Sequence, residues 1–210
     1  MVADGWQAKN VIGFELRKGM TCDYGASYWN PHLEEFWGFG HDLFLDTPET
    51  FPAGFIAGDV FDSSMIAPHA PFYTTDLLLL TAHATPELRS LTSLTPLQGR
   101  VSAIMSCAFF HLFDEAKQLQ AARQLASLLS PIPGSVIFGA HGTMIVNGIR
   151  EHSLGEAFCH SPESWKELWD GNIFEKGTVS VEVDVKLIDM GPGRGIQDQN
   201  IWMSWSVTRL

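Results

Sequence analysis

Positive charge is scarce in this chain: 13 Lys and Arg stand against 24 Asp and Glu, for a formal net charge of −11. No basic stripe is visible, which argues against a nucleic-acid backbone as partner. Cysteine is equally sparse. Cys22, Cys107 and Cys159 are odd in number and unclustered, which excludes a disulfide framework and a cysteine zinc site and points to a reducing compartment. Long apolar runs are missing too. Leu77 to Leu80 is as long as any and is far too short to span a bilayer. The residues after Met1 are polar and lack a secretory apolar region, so the expected location is cytoplasmic, with no membrane partner. What is present is globular in kind. Hydrophobic residues make up 45% and charged residues 18% of 210, enough for one good core. A single domain over residues 1–210 is expected.

The stretch from Val101 to Gly142 organises the chain. Val101 to Met105 is a short apolar run that reads as a buried strand. Leu112, Ala116, Leu119, Ala122, Ala126 and Leu129 recur at helical spacing, with Lys117, Gln120 and Gln124 on other faces. Pro131, Pro133 and Gly134 stop that helix, and Ser135 to Phe138 reads as a second buried strand. Strand, helix and strand form a parallel crossover unit whose sheet should be covered on both faces. In open α/β sheets ligands sit beyond the carboxyl ends of the strands, so chemistry is expected after Met105 and after Phe138.

Earlier in the chain, Asn10 to Leu16 reads as a strand ending in one acid, Glu15. Glu15 is either a solvated strand end or an acceptor for the hydroxyls of a ribose. Residues 19–34 have no period of either kind and read as an insertion loop carrying Tyr24, Tyr28 and Trp29. Phe51 to Val60 looks like another strand, with Asp59 at its end. Asp59 serves either as a cap or as an acceptor for an adenine amino group. Thr74 to Thr81, with its run of leucines, is expected to be a core element.

Ser106, Cys107 and Ala108 stand at the mouth of the central strand, where small residues let a ligand approach the backbone. Cys107 has no histidine at a useful spacing, which speaks against a catalytic thiol. His111, beside Phe109, Phe110 and Phe113, is either a packed ring or a base near a substrate. Further on, Ser161 caps a helix with Pro162 at its first position and Glu163 at its positive end. Trp165, Leu168 and Trp169 form its apolar face. Val179 to Ile188 alternates strictly, as does Ile201 to Val207, and the pair suits an antiparallel hairpin. The glycines of GPGRG, Gly191, Gly193 and Gly195, then join two strands rather than cradle a phosphate, because no helix follows them.

Parallel units followed by a terminal antiparallel hairpin are the pattern of class I methyltransferases. The segments NVIGFEL, FIAGDVFD, IMSCAFFHLFDE and PIPGSVIFGAHG, in this order, resemble fungal small-molecule methyltransferases that use S-adenosylmethionine. Carboxyl O-methyltransferases of meroterpenoid pathways are among them. The resemblance runs from about Asp4 to Leu210, apart from the loop at 19–34. It implies an α/β, Rossmann-like sheet with a C-terminal hairpin, and O-methylation of a small secondary metabolite at a carboxylate or hydroxyl. By the same resemblance S-adenosylmethionine is the cofactor. Glu15 and Leu16 would hold its ribose, and Asp59 and Val60 its adenine. Ser106, Cys107 and Ala108 would line the methionine end, and His111 would stand on the substrate side as the one candidate base. A metal is not expected, and the partner is a small molecule, with a homodimer allowed. The family's first strand and its glycine-rich loop are expected to precede Asp4. The sheet is therefore expected to be incomplete at its N-terminal side, between the strand ending at Glu15 and the strand at Val101. The alternative is a methyltransferase-like protein that binds without catalysing.

Overall fold

The computed structural model describes residues 7–16, 33–81, 84, 86–152, 155–187 and 201–210. The insertion at 19–34, apart from its last two residues, and the GPGRG glycines lie outside the described residues.

The first strand, β1 (Ile12–Leu16), runs parallel to β2 (Gly54–Gly58), with Glu15 opposite Ala57 and Leu16 opposite Gly58. Between them in sequence lies α1 (Leu33–Phe44), whose Trp37 stacks on Phe55 of β2 at 4.9 Å. The expected core element at Thr74–Thr81 is instead one helical turn, α2 (Leu77–Thr81), with Leu78 and Leu79 84% and 70% exposed. The reason is geometric. Four consecutive leucines on a helix this short point around the whole circle, so some of them must face outward.

The expected crossover unit is present. β3 (Ala103–Met105) lies parallel to β4 (Val136–Thr143), and α3 (Glu115–Leu128) joins them. This first strand is half-buried rather than buried, with Met105 61% exposed, because β3 pairs on one side only among the described residues. The helix starts at Glu115 rather than near Leu112 because Asp114 is its cap and accepts the Lys117 amide at 2.7 Å. Leu112 belongs to the tight turn before it. Gln124, expected on an outer face, is buried. Its amide donates to the Ile66 carbonyl at 3.1 Å, which satisfies the group inside the protein. Ala116, expected on the apolar face, is exposed.

β4 runs five residues beyond Phe138, to Thr143. It is followed by a small antiparallel hairpin that the sequence reading missed, β5 (Gly148–His152) and β6 (Gly155–Cys159). Next comes α4 (Pro162–Trp169), capped as expected by Ser161, whose hydroxyl accepts the Ser164 amide at 3.1 Å. The terminal hairpin, β7 (Val179–Leu187) with β8 (Ile201–Arg209), is antiparallel, and β8 pairs antiparallel with β4. The larger sheet therefore has the order β3-β4-β8-β7. Trp165 and Trp169 of α4, Phe110 and the inward residues Met203, Trp205 and Val207 of β8 form its buried core. Val183 is only half-buried and Val185 is exposed, so the inward row of β7 leaves the core before the strand ends.

Among the described residues β1 pairs only with β2, and β3 only with β4. Both nevertheless pack against one apolar cluster built on Ile56, Val60, Ile66, Leu97 and Leu128. Ile12 and Phe14 reach it from β1, Val101 and Ile104 from the side of β3.

Candidate functional site

The parallel strands place their carboxyl ends where the sequence located its candidates. Glu15 and Leu16 end β1; the structure describes their backbone and not their side chains. One residue past β2, Asp59 is half-exposed, and its Oδ1 accepts the Phe61 amide at 2.8 Å. That bond realises the capping reading and leaves the other carboxylate oxygen for a ligand. Val60 is only 2% exposed, with its side chain in the core, so only its main chain can serve a site.

After β3 the chain turns sharply. The Ser106 amide donates to the Phe138 carbonyl and the Ala108 amide to the Ala140 carbonyl, both at 2.8 Å. Ala108 holds a φ of +51°, in the left-handed region that alanine rarely adopts. Cys107 and Ala108 are exposed and Cys107 is a free thiol. The turn depends on Gly139 of β4, because a Cβ there would stand 1.8 Å from the Ser106 carbonyl oxygen. The outcome is a turn of small side chains with an open face at the carboxyl end of β3.

His111 sits half-buried in the turn Phe110–Leu112. Its ring lies 6.4 Å from that of His141, nearly parallel, and 5.6 Å from the Trp202 ring, edge to face. His141 went unnoticed in the sequence because the strand seemed to end at Phe138. The signal was there: Ile137, Gly139, His141 and Thr143 continue one face of β4. The Trp205 Nε1–H donates to His141 Nδ1 at 2.9 Å, so the proton of the neutral ring is on Nε2. Burial, and then the neighbouring His111 and His160, push the His141 pKa down to about 3. His160, also missed, is held down to about 4 by burial, and its Nδ1 bonds the Ser164 hydroxyl at 2.9 Å. Both rings are neutral at neutral pH. The half-buried Arg150 of β5, a third residue the sequence did not flag, donates from Nη2 to the Thr143 carbonyl. Among the described residues there is no cluster of metal-ligating side chains.

Carboxylates at strand ends suit a ligand with hydroxyl and amino donors, such as a nucleoside. Acids at the ends of two paired strands accept from hydroxyl and amino groups. The small, open turn at Ser106 to Ala108 allows close approach to backbone. The structure thus brings Glu15 and Asp59 to one pair of strand ends and Ser106 to Ala108 to another, with His111 on the side of the second pair.

Parallel strands with intervening helices, followed by the antiparallel β7–β8 hairpin, make this an α/β chain of Rossmann-like kind, as expected. No family model matches it. In sequence the chain is similar to fungal methyltransferases, as its motifs led us to expect. It is 28% identical over 187 residues to the O-methyltransferase phiE of a fungal species, covering 88% of this chain and 48% of that protein. It is 28% identical over 171 residues to the Asnovolin E/Chermesin D methyltransferase nvfJ of Aspergillus novofumigatus, covering 80% of this chain and 46% of that one. It is 25% identical over 191 residues to the methyltransferase adrK of Penicillium rubens, covering 88% and 51%. The chain spans about half the length of the curated relatives it matches. Among solved structures, the DhpI–SAH complex superposes with a TM-score of 0.39 and 16% identity, over 97% of this chain and 79% of that one.

Proposed function

We propose that this chain belongs to an S-adenosylmethionine-dependent O-methyltransferase that modifies a small secondary metabolite at a carboxylate or hydroxyl oxygen. The observation that carries this reading is the turn at Ser106 to Ala108, open at the carboxyl end of a parallel strand, in a chain similar to fungal methyltransferases. When bound, the cofactor supplies an electrophilic methyl group. The chain's own residues do the rest. Glu15 and Asp59 bind the nucleoside part, with Leu16 and the Val60 backbone beside them. Ser106, Cys107 and Ala108 shape the wall against which the methionine part lies. His111 faces the acceptor. A hydroxyl acceptor needs a base and His111 takes its proton, whereas a carboxylate acceptor needs none. The main catalytic work is alignment and exclusion of water.

The same reading places the protein in the cytoplasm, acting on a small molecule and neither on nucleic acid nor at a membrane. A homodimer is compatible with it. No described helix is long and apolar enough to cross a membrane. A second reading, a methyltransferase-like protein that binds without catalysis, draws on the fact that β1 and β3 each pair with one strand only among the described residues. Calorimetry with S-adenosylhomocysteine decides between them and a non-binding chain. Binding that Glu15→Ala and Asp59→Ala each weaken about ten-fold supports a cofactor site, and turnover of an acceptor then separates enzyme from binder. No binding by a folded chain overturns the cofactor site.

A further inference from the structure

Arg150 occupies an unusual place. Its Nη2 is fixed on the Thr143 carbonyl at the carboxyl end of β4. Its Nη1 lies 3.6 Å from the point where a Cβ at Gly142 would stand. The His111 ring lies 3.9 Å from the same point. Gly142, itself buried, therefore leaves no side chain between a guanidinium and an imidazole. Trp202, opposite Gly142 in β8, brings its indole to 5.6 Å from His111 and closes a third side. The ion pairs His41–Asp46 and Lys186–Asp184 do not involve Arg150. In a chain of net charge −11, a cation held by a carbonyl beside a candidate base, with no ion-pair partner among the described residues, suits an anion from outside.

We propose that Arg150 is the acceptor-binding residue that seats an anionic oxygen of the substrate over Gly142, facing His111. The proposal rests on the methyltransferase reading for its purpose but not for its binding chemistry. A planar guanidinium with one arm anchored presents its other arm in a fixed direction. A carboxylate that places one oxygen on Nη1 keeps its second oxygen free to act as nucleophile, with no proton to lose.

The test uses the full chain and two probes of one shape, cyclohexanecarboxylate and cyclohexylmethanol, titrated by calorimetry. The acid is expected to bind about ten-fold more tightly than the alcohol, an advantage of the size a charge-assisted hydrogen bond gives. Arg150→Met, which keeps the length of the side chain, is expected to abolish that advantage, and Arg150→Lys to retain part of it. Circular dichroism checks that both variants fold. If the acid binds Arg150→Met as it binds the original chain, or if the original chain shows no preference for the acid, the proposal is overturned. S-adenosylhomocysteine is titrated in parallel, and its affinity is expected to change by less than about two-fold in Arg150→Met, since a charge pair lost at the acceptor seat leaves the cofactor strand ends intact. Arg150-dependent acid binding without S-adenosylhomocysteine binding upholds the anion seat and overturns the methyltransferase reading. Cofactor binding without acid preference does the reverse.

Discussion

The half of the molecule built on β4, β8 and α4 closes over its aromatic rings, whereas the half built on β1, β2 and α1 leaves large apolar side chains in water. Trp165 and Trp169 are wholly buried, while Phe39, Leu43 and Phe44 of α1 are 55% to 76% exposed. Hydrophobic content does not separate the two halves; neighbours do. β4 and β8 each have a strand on both sides, and α4 packs its indoles onto them. β1 has a strand on one side only among the described residues, and its Ile12 and Phe14 are half-buried. A parallel strand is built to be covered on both faces and both edges. The comparison shows that neighbours on both sides bury a strand's row, whereas with one described neighbour β1 stays half-buried and only single residues such as Ile56 of β2 reach the interior.

The comparison predicts a gradient of sensitivity. Trp165→Ala empties the centre of the closed half and should cost about 4 kcal/mol, read from urea unfolding. A loss below about 1 kcal/mol would show that the aromatic core is not the stabilising unit. Gly139→Ala sets a Cβ against the Ser106 carbonyl and should cost about 3 kcal/mol. It should also disturb the Ser106 to Ala108 turn, so that S-adenosylhomocysteine affinity falls along with stability.

Acid comes next. The folded pKa values of His141 and His160, about 3 and about 4, lie below the ordinary 6.5. Above 6.5 both rings are neutral, folded or unfolded, and stability is complete. As pH falls below that value the unfolded chain takes up protons that the folded chain refuses. Each histidine then removes about 1.4 kcal/mol per pH unit, down to about 4 for His160 and about 3 for His141. Urea midpoints at about pH 7 and about pH 5 measure the slope, and His141→Phe should remove one histidine's share of it. An unchanged slope in that variant would mean that His141 is protonated in the folded state.

Asp114→Ala removes the cap of α3 and should cost about 1 kcal/mol. The smallest effect belongs to the open half. Leu43→Gln should change stability by less than about 0.5 kcal/mol. A loss of the size seen at Trp165 would show that α1 is covered in solution, and the contrast between the halves would then disappear.

Much of this was legible beforehand. The crossover at Val101 to Gly142, the Ser161 cap and the terminal hairpin were readable because each carries a local signal: a helical period, a capping hydroxyl beside proline, a strict alternation. Gln124 was misread because periodicity scores polarity and does not see a carbonyl waiting at Ile66. The leucines at 77–80 were misread because a run states apolarity and not which neighbours exist. His141 and Arg150 come close to His111 because β4 runs on to Thr143 and the β5–β6 hairpin follows. Neither follows from spacing along the chain. Glu15, Asp59 and the Ser106 to Ala108 turn could be located at strand ends because a short apolar run closed by an acid or by small residues marks such an end locally.

The bond from Trp205 to His141 has a spectroscopic consequence. An imidazole held in a single tautomer inside a buried aromatic core keeps its Nε2 proton away from bulk solvent, and buried protons of this kind exchange only when the surrounding structure opens. In a nuclear magnetic resonance experiment on labelled protein, that proton becomes a private reporter of the closed half. Its exchange rate would record how often the aromatic core breathes, and whether filling the strand ends with a ligand makes it breathe less.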